Sequence, residues 1–248
     1  MQTTIVIPAY NEGGRVGETI RAIFALERGY KVVVVDDGSV DGTSDAARFA
    51  GATVLRHAVN RGQGAALQTG TEWALARGAD HIVHFDADGQ FDAADILRGI
   101  ALLVESSLDV VLGSRIVIPP DQSPGQAIRD PVNLLDPRFR GDDNQNRNTI
   151  PFTKRYVLFP IARLVNWAFT GVWLTDAHNG FRVLSRRAAE QIVIHHDRMA
   201  HNTDIVAQIR EREISFAEMP IHVRYNRYGQ GLGGGVKIVA DLLIGWFT

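Results

Sequence analysis

The chain has 248 residues, 45% of them apolar, with 26 Lys and Arg against 28 Asp and Glu for a net charge of −2. That size and apolar content fit one large α/β domain or two small ones and exclude a disordered chain; the charge balance speaks against a general nucleic-acid binder. There is no cysteine, so disulfides and thiolate chemistry are excluded, and a reducing compartment is compatible with the composition.

Met1 to Thr4 leads directly into a strand pattern with no basic region followed by an apolar stretch, so no signal peptide is expected. No run of about 18 apolar residues occurs, so no transmembrane helix is expected. Thr4 to Ile7 is a short β-rich run that Pro8 should end. Val16 to Leu26 has helical spacing, with Val16, Ile20, Ile23 and Phe24 on one side. Val32 to Val35 is an unbroken run of valine, the pattern of a strand buried on both faces. Ser44 to Ala50 reads as helix after the turn chemistry of Asp41 to Thr43, Thr53 to Leu55 as the third strand, and Gly64 to Ala76 as an alanine-rich helix. Ile82 to Phe85 is the fourth strand, Ala93 to Val104 a helix with Ile96, Ile100 and Leu103 on one stripe, and Val110 to Leu112 the fifth strand. Repeated β-α units of this kind predict a mostly parallel sheet flanked by helices.

The pattern changes near Ile116, which divides the chain into residues 1–115 and 116–248. From Pro119 to Pro151 it is rich in Pro, Asp, Asn, Arg and Gln with little periodicity, so a long functional or mobile loop over 117–151 is expected. An amphipathic helix is expected over Lys154 to Thr170, another after Ser185, and one from about Thr203 to Arg212. Phe216 to Tyr225 alternates like a strand, and Val236 to Phe247 reads as an apolar helix.

Four polar clusters fall at the carboxyl ends of the expected strands: Pro8-Ala9-Tyr10-Asn11-Glu12, Asp36-Asp37-Gly38-Ser39, Asn60-Arg61-Gly62-Gln63-Gly64 and Asp86-Ala87-Asp88-Gly89-Gln90. Each alone is ordinary turn chemistry. Together they converge on the edge of a parallel sheet where ligands bind. Spacing disposes of several alternatives. A calcium loop counted from Asp86 has its glycine at the fourth position and Leu97 where the glutamate is needed. Gly62-Gln63-Gly64 lacks the third glycine of a dinucleotide fingerprint, no Walker sequence occurs, and no His pair has zinc-hydrolase spacing. Two carboxylates one residue apart, Asp86 and Asp88, suit a hard cation such as Mg²⁺ or Mn²⁺ held together with substrate phosphates. If extended geometry persists past Phe85, both face one ion.

The stretches IVIPAYNE, VVVVDDGSVDGT, NRGQGAALQTG, FDADGQ and VLGSR resemble the nucleotide-sugar half of family-2 glycosyltransferases, which implies the GT-A fold, a Rossmann-like mostly parallel sheet followed by an acceptor region. DAHNGFRVLSR and MPIHVRYNRYGQG resemble the acceptor segments of the dolichyl- and polyprenyl-phosphate sugar synthases. The resemblance implies that Pro8, Ala9, Tyr10, Glu12, Asp37, Gly64, Asp86, Ala87 and Asp88 bind the nucleotide-sugar, with Tyr10 near the base and Asp37 bonded to base or ribose. It implies a Mg²⁺ or Mn²⁺ ion on the DxD pair Asp86 and Asp88, joined by Gln90, and Arg115 on phosphate. Arg155, Asp176, Asn179, Arg182 and Arg227 are the candidates for the acceptor side. Departures are Asn179 where the family has Ser, and Gly231-Leu232 where the lipid-phosphate synthases often carry Ser-Lys.

The implied reaction is inverting transfer of a sugar from a UDP- or GDP-sugar to a polyprenyl or dolichyl phosphate. A hydroxyl acceptor in a cell-envelope glycan is the alternative, and a hydroxyl needs a carboxylate base. Asp204 has two readings, a base or acceptor-orienting group and a plain helix N-terminal residue. A silent nucleotide-sugar binding module and a nucleotidyltransferase are the competing classes. The expected location is cytoplasmic, with peripheral contact at the cytoplasmic face of the membrane if the acceptor is a lipid; the apolar segment around Ile238, Leu242, Leu243, Trp246 and Phe247 serves as interfacial helix or as core.

Overall fold

The computed structural model describes residues 1–115, 171–172, 174–176, 180–194 and 201–223. The expected loop at 117–151, the helices at 154–170 and 236–247, and Arg155, Asn179 and Arg227 lie outside the described residues.

Strand β1 (Thr3–Ala9) is followed by α1 (Val16–Phe24), β2 (Lys31–Asp36), α2 (Thr43–Phe49), β3 (Thr53–Arg56), α3 (Gln63–Ala76), β4 (His81–His84), α4 (Ala94–Glu105) and β5 (Val110–Ser114). After the undescribed segment come β6 (Arg182–Ser185), α5 (Arg186–Gln191), α6 (His201–Glu211) and β7 (Phe216–Pro220). The described strands form one sheet in the order β3-β2-β1-β4-β6-β5-β7. β3, β2, β1 and β4 pair in parallel. β6 runs antiparallel to both β4 and β5, and β5 is parallel to β7. The sheet is thus mostly parallel, as its βα periodicity predicts, with one reversed strand that the sequence pattern does not show.

Alternation along the strands feeds two cores. Ile5, Ile7, Val32, Val34 and Val83 face one side, where Val16, Ile20 and Ile23 of α1, Ala47 of α2 and Ile96 and Leu102 of α4 cover them. Val6, Val33 and Ile82 face the other, under Leu67 and Ala74 of α3, Ala188 and Ala189 of α5, and Ile205 and Ile209 of α6. The valine run of β2 is buried on both faces because both are covered. Helix α3 lies tight against β1: a Cβ at Gly70 would run into the side chain of Val6 and stand 3.2 Å from Val35 Cγ2.

Pro8 does not end β1, contrary to the expectation from its missing N–H. The strand continues to Ala9, and Pro8 pairs in register with Val35. Val6 O accepts from Phe85 N on the β4 side, whereas Ala9 O accepts from Asp37 N on the β2 side. Pro8 shares the parity of Val6, so its nitrogen points to the β4 side, where pairing stops at the Val6–His84 partners. No ladder bond is lost there, and β1 outruns β4 and leaves a crevice.

Candidate active site

That crevice is the point at which the sheet order reverses, with β2 and β3 to one side of β1 and β4 to the other. It opens into a cleft of about 350 Å³. Pro8, Ala9, Tyr10 and Glu12 line it from the end of β1 and the loop after it, Asp37 from just past β2, Asn60 and Gly62 from the β3–α3 connection, Gln63 and Ala66 from the first turn of α3, and Asp86, Ala87 and Asp88 from the loop after β4. All four polar clusters therefore meet, and every residue expected to bind the nucleotide-sugar lines the cleft except Gly64. Gly64 is buried in the first turn of α3, and Gln63 and Ala66 of the same turn line the cleft instead.

The two acids at the carboxyl end of β2 divide the work. Asp36 is fully buried and folds its own loop: its carboxylate accepts from Ser39 N at 2.8 Å and from the Ser44 hydroxyl. These bonds outweigh its burial and hold its pKa below the ordinary carboxylate value. Asp37 turns to the cleft and accepts from Arg61 N (2.9 Å), Gly62 N (2.7 Å) and His57 Nδ1 (2.7 Å). Gly62 reaches this geometry at φ 101°, a region side chains disfavour. The β1 and β2 loops are strapped together: Asn11 N donates to Ser39 Oγ at 2.9 Å, Asn11 Oδ1 accepts from Val40 N at 3.0 Å, and Glu12 N donates to Thr43 Oγ1 at 2.8 Å. Tyr10, 47% exposed at the mouth, and Glu12, paired with Arg15 at 2.8 Å, are held by that strap.

Asp86 and Asp88 reach the cleft by a different backbone from the one expected. β4 stops at His84 and the chain turns at Ala87 and Asp88, with Gly89 at φ 71° and Gln90 N donating to Asp88 Oδ1 at 3.0 Å. A turn, not strand parity, brings both carboxylates to one cavity, because local Asx and glycine geometry takes over once the β1 ladder ends. Gln90 contributes its backbone to that turn and is not among the cleft-lining residues. Burial, then repulsion from Asp88, pushes the Asp86 carboxyl up to about 6, partly countered by Arg182, Arg115 and a 3.0 Å bond from Gln63 Nε2. Glu12 is raised too, chiefly by burial and in part by Asp88. Oxygen-only donors, crowded so that their charges repel, fit a hard divalent cation. Among the described residues no group of three or more His, Cys, Asp or Glu could complete a site alone, so phosphate or water oxygens would supply the remaining ligands. Gly180 leaves room for this arrangement, since a Cβ there would overlap the Asp86 carboxylate.

Beyond the cleft, on the Asp86 side, lies a charge ladder whose members Arg115, Asp176 and Arg182 are not among the cleft-lining residues. Arg115, just past β5, forks onto Asp176 through Nε (2.6 Å) and Nη2 (2.7 Å), and its backbone N donates to the same carboxylate. Asp176, expected on the acceptor side, is thus the partner of Arg115, which was expected on phosphate. Glu218 on β7 accepts from Thr175 N at 2.9 Å and from Thr175 Oγ1 at 2.8 Å, and Thr175 meets Ser114 at 2.8 Å. Burial raises Glu218 to about 7 despite those bonds. Arg182, 3% exposed on β6, bonds Asn202 Oδ1; burial lowers its pKa to about 10, opposed by Asp86, so it stays charged at neutral pH. Asp204 sits in the first turn of α6, accepts from Gln208 Nε2 at 3.0 Å and is not among the cleft-lining residues.

The family model described as Glycosyl transferase family 2 matches residues 4–193. The chain belongs to glycosyltransferase family 2. An uncharacterized protein of Methanocaldococcus jannaschii is 31% identical over 247 residues, covering 97% of this chain and 90% of that protein. The UDP-N-acetylglucosamine–dolichyl-phosphate N-acetylglucosaminyltransferase of Methanococcus voltae is 25% identical over 94% of this chain and 90% of its own. The polyprenol monophosphomannose synthase of Mycolicibacterium smegmatis is 28% identical over 77% of this chain and 64% of its own. Glucosyl-3-phosphoglycerate synthase from Mycobacterium tuberculosis, solved with UDP, superposes with a TM-score of 0.66 at 19% identity, over 98% of this chain and 79% of that one. A structure of the same synthase with Mn²⁺, UDP and glucosyl-3-phosphoglycerate gives 0.64 at 18%, over 98% and 78%. These likenesses establish the GT-A fold for this family-2 glycosyltransferase.

Reading the sequence by strand ends misses His57 and Gly180, which touch the cleft residues Asp37 and Asp86 of this glycosyltransferase, and Glu218 beyond the cleft; Gln63 falls inside the Asn60–Gly64 cluster but without a role of its own. His57 and Gln63 carried a signal, lying at the end of β3 and the start of α3. Gly180 and Glu218 carried none, because each acts on a residue remote in sequence.

Proposed function

We propose that this family-2 glycosyltransferase moves a sugar, with inversion, from a nucleoside diphosphate-sugar to a polyprenyl or dolichyl phosphate at a membrane surface. The observation that carries the reading is the cleft itself: a carboxylate set to accept from a base or ribose at one end, and two carboxylates suited to a divalent cation at the other. The names of the Methanococcus and Mycolicibacterium relatives support the lipid-phosphate acceptor, and the Mn²⁺- and UDP-bound fold relative supports the donor and the ion. No helix among the described residues is long and apolar enough to cross a membrane, and peripheral contact is part of the proposal.

In this reading Asp37 and Tyr10 hold the nucleoside, and Asp88 with Asp86 would hold Mg²⁺ or Mn²⁺. When bound, the ion supplies charge neutralisation to the departing diphosphate. The uncapped N-terminus of α3, beginning at Gln63, adds partial positive charge on the same side. An acceptor phosphate oxygen attacks the anomeric carbon from the face opposite the diphosphate; the C1–O bond breaks and its electron pair leaves with the nucleoside diphosphate. A phosphate nucleophile is already anionic, so no general base is required. Arg182 and Arg115 lie close enough to lower the Asp86 pKa, and they are the groups that would offset the charge of two phosphate-bearing substrates.

The test is nucleoside diphosphate release with Mn²⁺, using undecaprenyl or dolichyl phosphate in detergent, wild type against Asp88→Ala. Release that depends on both the lipid and Asp88 is expected. Full turnover in Asp88→Ala sinks the metal assignment, and turnover with phosphoglycerate but not lipid phosphate moves the acceptor to a hydroxyl.

A further inference from the structure

We propose that His57 restricts Asp37 to a single vacant acceptor position, and that this restriction makes the donor a uridine nucleotide in preference to a guanosine nucleotide. The inference rests on the nucleotide-sugar reading of the cleft and deepens it by naming the base.

Asp37 is 4% exposed and lines the cleft. An ionised carboxylate has about four acceptor positions, two on each oxygen. Among the described residues, Oδ1 accepts from His57 Nδ1 at 2.7 Å and from Arg61 N at 2.9 Å, and both its positions are filled. Oδ2 accepts from Gly62 N at 2.7 Å and keeps one position. The ring of His57 is itself fixed, because Nε2 meets the Thr69 hydroxyl of α3 at 3.0 Å. With the neutral ring, Nδ1–H donates to Asp37 and Nε2 accepts from Thr69; a doubly protonated ring also donates at Nδ1. The backbone of His57 is fixed as well, its N continuing the ladder by donating to Asp36 O at 2.9 Å, and the donor Gly62 sits at φ 101°.

One vacancy takes one donor. Uracil offers a single ring N–H on its pairing edge. Guanine offers N1–H and the 2-amino group side by side, and satisfying both needs one vacancy on each oxygen. With Oδ1 full, one guanine donor enters the cleft without a partner, a penalty on the order of tenfold or more in affinity. Adenine and cytosine set an acceptor ring nitrogen beside the amino group, so a lone pair faces the carboxylate. His57 is a positioning residue here, acting through Asp37 and not touching the nucleotide.

The experiment is calorimetric titration of the full chain with UDP and with GDP, each with Mg²⁺, for wild type, His57→Ala and His57→Asn, with Tm recorded for each variant. Wild type should bind UDP at least about tenfold more tightly than GDP. His57→Ala opens the second position on Oδ1 and should narrow that ratio by about tenfold, with weaker UDP binding and unchanged or tighter GDP binding. His57→Asn places an amide N–H where Nδ1–H stood and should restore the ratio. Equal or tighter binding of GDP by wild type overturns the proposal, as does a His57→Ala variant that weakens both nucleotides alike, the result expected if Asp37 holds only ribose. The wild-type comparison decides even where a variant does not fold. Binding of neither nucleotide is a different failure: it removes the nucleotide-sugar reading itself.

Discussion

At the scale of single residues the site is a contest between burial and charge, and Asp86 is where that contest can be measured. Its pKa of about 6 stands above the ordinary 3.8, first because it is buried and then because Asp88 repels it. A carboxyl raised on folding favours the folded state while protonated, so its stabilising contribution is complete below pH 3.8 and is lost as pH rises through 6. Glu218 behaves the same way between 4.5 and about 7. Asp36 and Asp41 have lowered pKa values, act in the opposite sense and weaken the fold only on acidification below the ordinary carboxylate range. Buried His84 and His81, held below the ordinary imidazole value chiefly by burial, act oppositely below pH 6.5, so the carboxyl effect is read as a difference between variants: without divalent ions, wild type should lose stability relative to Asp86→Asn between pH 4 and 7. Asp86→Asn should be more stable than wild type at pH 8 by on the order of 1–2 kcal/mol, after discounting for its partial exposure, and should show a shallower slope. Adding Glu218→Gln should remove a further part of the loss between pH 4.5 and about 7, with Glu12, also raised chiefly by burial, contributing in the same sense. An Asp86→Asn protein with the full wild-type slope would show that the carboxyl is not strained in this way.

At the scale of elements, α3 links the packing to the site. Its sheet side carries Ala66, Gly70 and Ala74, small enough to bring the helix down on β1 and β2. That approach carries Gln63 to Asp86 and Thr69 to His57. Ala is the better helix former by about 1 kcal/mol, yet Gly70→Ala should destabilise the protein, because a Cβ against Val6 overpacks a rigid core at a cost of about 1–3 kcal/mol. Denaturation should give a net loss of up to about 2 kcal/mol, and donor KM should rise more than kcat falls, since the helix start moves from the cleft. A stabilised variant would show that α3 has room to shift. The same level explains what was legible in the sequence. β1, β2 and β4 declare themselves through apolar runs that end in polar clusters, and the convergence of those clusters was legible from the ends alone, while the nucleotide-sugar role given to them comes from the family resemblance. β6 was not: Arg182 to Ser185 has two apolar residues and gains its place only by pairing with β4, about a hundred positions earlier. Pro8 misled for a related reason, since whether its missing N–H matters depends on which neighbour its parity faces.

At the scale of the whole molecule, the cleft joins segments that only the complete sheet brings together, so a ligand bridging them stabilises the entire fold. A ligand at a hundred times its Kd adds about 2.7 kcal/mol, worth roughly 5–10 °C in Tm for a chain of this size. UDP and Mn²⁺ should not act independently. A diphosphate placed beside Asp86, Asp88 and Glu12 meets like charge, and a cation placed on Asp86 and Asp88 alone lacks the oxygens that would complete its shell. Each should therefore give a small shift alone and a larger shift together than the sum of the two, and by reciprocity UDP should tighten Mn²⁺ as much as Mn²⁺ tightens UDP. Asp88→Ala should abolish that excess while keeping the small shift from UDP alone, because Asp37 and its donors stand at the other end of the cleft. Scanning calorimetry of wild type and Asp88→Ala with EDTA, Mn²⁺, UDP and both together separates the terms. A UDP shift of the same size in EDTA as in Mn²⁺ would sever the carboxylate pair from the diphosphate, and a loss of all UDP response in Asp88→Ala would mean that the two ends of the cleft are one site that cannot be divided.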